Sequence, residues 1–160
     1  MERSAHIERM FPKPRQDLVP NTAEFERLPL VKATGFREYD ARWRFPEEIN
    51  LLGLEAVGLG LATLMRARGV PVRVVVGHDY RSYSAAVKAA LMTGLMAGGA
   101  EVHDIGLALS PMAYFAQFEL GVEGVAMTIP TYLLYVVLTG NALSLVAILY
   151  GVNRALAEAA

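Results

Sequence analysis

Val72-Arg73-Val74-Val75-Val76-Gly77-His78-Asp79-Tyr80-Arg81-Ser82 is the stretch on which the fold turns. Val72 to Val76 is a short, β-branched, apolar run, which predicts a buried strand. Asp79 to Ser84 is polar and turn-like. Ser82 or Ser84 can cap a helix over Ala85–Ala97, which the pair Gly98-Gly99 ends. Reading on, Ala100 to Ile105 predicts a second strand. Ser110-Pro111 opens a helix to about Leu120, with Ser110 read as its cap. Gly124 to Met127 predicts a third strand. Upstream, Pro46 suits a first helical position, and Glu47 and Glu48 complement the positive end of the helix dipole. Ile49, Leu52, Val57, Leu61, Leu64 and Met65 then give a broad apolar face up to Gly69. Strands and helices alternating at this spacing imply right-handed crossovers and a mostly parallel sheet in a three-layer α/β/α domain. Ligands of such sheets bind beyond the carboxyl ends of the strands. Three loops lie on that edge: Gly77–Arg81, Gly106–Ser110 and the segment after Met127.

The rest of the composition narrows the function classes. The chain has 160 residues, 15 basic and 16 acidic side chains and no cysteine. One domain with a substantial core is expected. The charge balance gives no basic stripe for nucleic acid. The absence of cysteine excludes disulfides and thiolate chemistry, and it fits a cytoplasmic setting. His6, His78 and His103 have no metal-ligand spacing. Residues 1–34 are polar and broken by Pro12, Pro14, Pro20 and Pro29, which predicts an extended arm rather than a packed element. Met10 is an alternative start, and Glu2, Arg3, Glu8 and Arg9 interrupt any signal-peptide pattern.

Three segments carry a family resemblance. Gly35-Phe36-Arg37-Glu38-Tyr39-Asp40-Ala41-Arg42 resembles the F-x-x-Y-D-I-R-G signature of the phosphohexomutases (phosphomannomutase/phosphoglucomutase), with Ala41 and Trp43 in place of the usual isoleucine and glycine. Val76 to Ser82 is similar to the family's G-x-D-x-R-x-S. Asp104 to Ala116 matches D-x-G-x-x-x-[ST]-P-x-x-Y-F-A. The resemblance covers about residues 30–127. It implies interconversion of 1- and 6-phosphosugars through a phosphoserine enzyme and a bisphosphorylated intermediate, with magnesium as the family's cofactor. A phosphosugar is a dianion and needs fixed cations and oriented donors. Tyr39 and Arg42 are therefore the expected substrate-binding residues. Asp79 and Arg81 are expected either to brace their loop or to lie close to phosphate. His78 is expected to pack within that loop.

The resemblance stops at the third strand. There the family has T-A-S-H-N, whose serine carries the phosphoryl group, followed by a lysine. This chain has Met127-Thr128-Ile129-Pro130-Thr131-Tyr132, and no lysine follows Lys88. No catalytic residue and no metal ligand are therefore assigned, and no cofactor is expected for this chain alone. The expected organisation is an arm over 1–34, a phosphohexomutase-like first domain over 35–127 and a divergent apolar tail over 128–160. From Gly124 to Asn153 there is no charged residue. Ile129–Val152 is expected to be helical, about 36 Å long at ~1.5 Å per residue, against a hydrocarbon core of ~30 Å. Three readings of the tail stand open: a membrane contact through 129–152, a helix packed on the domain or in a dimer, and unrelated sequence joined by a frameshift or rearrangement. Two functions follow. One is a truncated mutase domain, inactive alone, with hexose phosphate a weak ligand at best. The other is a non-enzymatic binding or membrane-associated module.

Overall fold

Strand β1 (Arg73–His78) is the centre of the sheet. It pairs in parallel with β2 (Glu101–Leu107) on one side and with β3 (Gly124–Ile129) on the other. A fourth strand, β4 (Tyr132–Leu138), runs antiparallel to β3, so the order is β2-β1-β3-β4. The structure is a computed structural model and describes residues 12–37, 40–129 and 132–138.

Alternation along β1 assigns its faces. Val74 and Val76 join Ala126 in one core cluster with the helices α1 (Leu51–Ala67) and α2 (Ser84–Ala97). Val75 joins Val125 and Met127 in a second cluster under α3 (Ser110–Leu120). Side chains of a strand point alternately to opposite faces, so a run of three buried valines needs cover on both sides. This gives the expected α/β layering, with a parallel three-strand core. The helices α1 and α2 cross at glycines. A Cβ on Gly94 would lie 1.9 Å from the carbonyl oxygen of Glu55, and one on Gly58 would lie 2.3 Å from that of Leu91.

Several boundaries differ from expectation. Helix α1 starts at Leu51 rather than near Pro46. Ile49 is held instead in an antiparallel bridge with Val31, and the Asn50 side chain accepts from the Gly53 amide at 2.8 Å, which fixes the cap. The segment from Pro12, expected to be an extended arm, lacks long helices or strands but is packed. Leu18, Phe25 and Leu30 form a cluster of their own, and Arg15 bridges to Leu30. Asn50 joins this layer to α1. Its Oδ1 also accepts from the Leu30 amide (2.8 Å), and its Nδ2 donates to the carbonyls of Phe25 (2.8 Å) and Leu28 (2.9 Å). Removing a buried group with four such bonds strands several backbone partners. Asn50→Ala should cost about 2–3 kcal/mol in urea unfolding, more than loss of a helix cap alone.

The expected apolar C-terminal helix is not what the chain forms where it is described. Tyr132 to Leu138 is a strand, in register Ile129–Tyr132, Met127–Tyr135 and Gly124–Leu138. The sequence Tyr-Leu-Leu-Tyr-Val-Val-Leu is rich in aromatic and β-branched residues, and the open edge of β3 supplies a partner that an isolated helix lacks. A helix through 129–152 is thereby excluded over 132–138. The remainder of that expectation lies outside the described residues. Among the described residues no helix is long and apolar enough to cross a membrane.

Candidate functional site

The carboxyl ends of the three parallel strands lie side by side: His78 is in register with Leu107 on β2 and with Thr128 on β3. The loop after β1 is closed by Asp79, which is 6% exposed. Its carboxylate accepts from Arg81 Nε at 2.9 Å, forms an ion pair with Arg81 NH2 at 2.8 Å and receives the Ser84 hydroxyl. Burial by itself raises the Asp79 carboxyl, but the bonds from Arg81 and Ser84 outweigh it and hold it below its ordinary value. Neither expected serine caps α2 through its side chain. Tyr83 occupies the cap position, and the Ser84 hydroxyl is committed to Asp79. His78 Nδ1 donates to the Asp79 carbonyl at 2.8 Å, which places its ring within the loop.

Arg81 also reaches the hydroxyl of Tyr83 (2.7 Å) and lies over its ring. Tyr83 in turn stacks on Phe45, with centroids 5.3 Å apart. Through this pair the loop after β1 meets the segment that carries the first motif. In that segment Phe36 bridges to Ala41, and the Arg42 amide donates to the Gly35 carbonyl at 2.7 Å. Arg42 Nε donates to Asp40 Oδ2 at 2.6 Å, and the Arg42 side chain is 31% exposed. Tyr39 lies outside the described residues. Trp43, where the family signature has glycine, is buried, and its indole donates to the Lys32 carbonyl at 2.8 Å. A Cβ on Gly35 would lie 1.9 Å from that indole nitrogen, so glycine at 35 is what admits the tryptophan.

The third motif is a strand end and a helix start. Asp104 pairs with Val76 and Gly106 with Gly77, which leaves Ile105 as the extra residue of a bulge. Gly106 has φ +68°, and its amide donates to Asp104 Oδ1 at 2.8 Å. Lys88, from α2, places Nζ 2.6 Å from both Asp104 oxygens. Burial raises the Asp104 carboxyl, yet the hydrogen bonds from Lys88 and Gly106 and the charges of Lys88 and His78 bring it below its ordinary value. Sequence reading missed this link. The available signal was Lys88 as the lone charge in an otherwise apolar helix. Ser110 is the first residue of α3 rather than its cap, a position held by Leu109 without a side-chain bond.

The description "phosphoglucomutase/phosphomannomutase, alpha/beta/alpha domain I" matches residues 33–130. The chain belongs to this family. It is 38% identical over 95 residues to a phosphomannomutase of Escherichia coli, an alignment that covers 59% of this chain and 20% of that protein. It is 39% identical over 92 residues to a protein of Xanthomonas campestris described as phosphohexose mutases, covering 58% and 20% respectively. Among solved structures, a phosphoglucomutase/phosphomannomutase family protein of Burkholderia thailandensis superposes with a TM-score of 0.68 at 25% identity. That match covers 81% of this chain and 31% of the other. The chain thus spans 20% of the length of the Escherichia coli relative, one domain's worth of a larger enzyme.

The family resemblance implies magnesium, and the donor set among the described residues does not fit it. Among the described residues no group of three or more acidic or histidine side chains converges. Asp79 and Asp104, the acids nearest the sheet's carboxyl edge, are each committed to a cation, Arg81 and Lys88.

Proposed function

We propose that this chain is a phosphohexomutase-type first domain that holds a hexose phosphate weakly through Arg42 and does not by itself transfer a phosphoryl group. The observation that carries this reading is the pairing of Ile129 with Tyr132, which leaves two residues between β3 and β4. The family's phosphoserine loop would have to start there. Phosphoryl transfer relies on holding nucleophile, metal and acceptor together, and positioning plus electrostatics supply most of the rate. Thr128 and Thr131 are the hydroxyls near this junction, and neither is followed by a histidine, an asparagine or a lysine. A hydroxyl without a base or a cationic cradle is a poor nucleophile.

Two measurements test the two halves of this reading. After incubation with labelled glucose 1,6-bisphosphate, mass spectrometry should find no phosphorylated peptide, and glucose 1-phosphate should not be converted. Stoichiometric phosphate on Thr128 or Thr131 together with conversion would overturn it. Mannose 6-phosphate titrated by NMR should bind with a dissociation constant above about 1 mM. Arg42→Ala should weaken it further by about fivefold, the upper end for an exposed ion pair of ~1 kcal/mol. Equal shifts in both proteins would remove Arg42 from the site.

A further inference from the structure

The first motif folds into a hairpin that its own backbone bonds hold only loosely. Phe36 bridges to Ala41, the Arg42 amide donates to the Gly35 carbonyl at 2.7 Å, and the Arg37 amide donates to the Asp40 carbonyl at 2.9 Å. A hairpin this small is marginal in water, so side-chain packing has to fix it. Successive side chains of an extended chain face opposite sides. Ala41 and Trp43, 1% and 4% exposed, belong to the main core cluster with Leu54 and Val76. Asp40 and Arg42 alternate with them and pair with each other at 2.6 Å. Burial of Trp43 therefore aims the residue before it away from the core.

We propose that Trp43 is the positioning residue for Arg42, holding the hairpin so that the guanidinium is already in place when a phosphate arrives. The proposal rests on the reading of Arg42 as the phosphate-binding group. The indole ties the two ends of the hairpin together. Its N–H donates to the carbonyl of Lys32, 11 residues away in the chain, at 2.8 Å. Lys32 precedes the single 3-10 turn Ala33–Gly35, which leads into the hairpin. The ring also meets Phe36 edge to face, with centroids 4.9 Å apart. Gly35 leaves the niche that the indole fills. Glycine, the residue of the family signature at position 43, has no side chain to make any of these contacts. A cation on a loose loop must be ordered by its ligand, and that ordering is subtracted from the affinity.

Two variants disturb the tie from opposite sides. Trp43→Phe keeps a ring in the niche and loses the N–H donor. Gly35→Ala keeps the indole and fills its niche. In both, the NMR order parameters of the Arg37 and Arg42 amides should fall from about 0.85 to about 0.6, while that of Val75, at the centre of the sheet, stays near 0.85. A loss of global stability alone would not move them. If Gly35→Ala does not fold, Trp43→Phe decides. Trp43→Phe should also weaken mannose 6-phosphate about threefold, the ordering of one long side chain. In the Arg42→Ala protein the same substitution should change nothing further, because a positioning residue acts through the group it positions. Unchanged order parameters in Trp43→Phe, or an equal loss of affinity with and without Arg42, would overturn the assignment. No binding by wild type, or equal binding by wild type and Arg42→Ala, would instead sink the phosphate reading of Arg42, and the order parameters would then decide whether Trp43 holds the hairpin.

Discussion

Gly94→Val should leave the domain largely unfolded, with a loss of about 4 kcal/mol or more in urea unfolding. The reason lies in what surrounds Gly94. An added Cβ would meet the Glu55 carbonyl oxygen at 1.9 Å, its carbon at 2.7 Å and the Glu55 Cα at 2.9 Å. All three are backbone atoms, so no side chain can rotate away. Gly58 makes the reciprocal approach to Leu91 and Leu95 from the other helix. Relief therefore requires α1 and α2 to separate, and that opens the core. Leu54, Leu61, Leu91 and Leu95, each at most 3% exposed, lose their packing together. A separation of this kind acts on many contacts at once, against a typical domain stability of about 5–15 kcal/mol. Ala89→Val, on the exposed face of α2, is the control and should cost about 0.5 kcal/mol through helix propensity alone. If Gly94→Val unfolded within 1 kcal/mol or so of this control, the close crossing of the two helices would be disproved.

Asp79→Ala should cost about 3–5 kcal/mol, the range for breaking a buried ion pair by removing one partner. Asp79 is 6% exposed, and the Arg81 side chain paired with it is 20% exposed. Without the carboxylate, the Ser84 hydroxyl at 0% exposure and the Arg81 guanidinium lose their acceptor. Arg81 keeps its bond to Tyr83, which places the expected cost toward the lower end. The pH dependence has a definite sign. Asp79 is held below its ordinary value in the folded chain, so its contribution is complete above the unfolded carboxylate pKa of about 3.9 and fades as pH falls through the lower folded value. Wild type should therefore lose stability between roughly pH 5 and pH 2. Asp104 adds a loss of the same sign, since it is lowered too. The Asp79→Ala protein should show a shallower fall over that window. Thermal unfolding at a series of pH values measures both slopes, and parallel curves would show that Asp79 does not carry this dependence.

Much of the architecture was legible because it rests on local rules. Val72 to Val76, the glycine pair after Ala97 and Ser110-Pro111 announced a strand, a helix end and a helix start, and each element lies within a residue or two of its expected place. The start of α1 was misplaced because Pro46, Glu47 and Glu48 are good helix openers by composition. A tertiary bridge from Ile49 to Val31 took precedence. The candidate site was less legible. Asp79 and Arg81 stood out in a motif, whereas Lys88 and Asn50 did not. Their partners are 16 residues away for Lys88 and up to 25 for Asn50, and spacing along the chain carries no trace of such pairs.

By itself the sequence determined the family, through three motifs in order, and the parallel α/β order, through the alternation of short β-branched runs with helical ones. It also determined that T-A-S-H-N is missing after the third strand, since that is a matter of residue identity. Only the tertiary structure decided the state of Tyr132–Leu138. An apolar run of that length satisfies either a helix or a strand locally. The choice fell to the free edge of β3, whose unpaired amides and carbonyls are completed by a neighbouring strand and not by a helix.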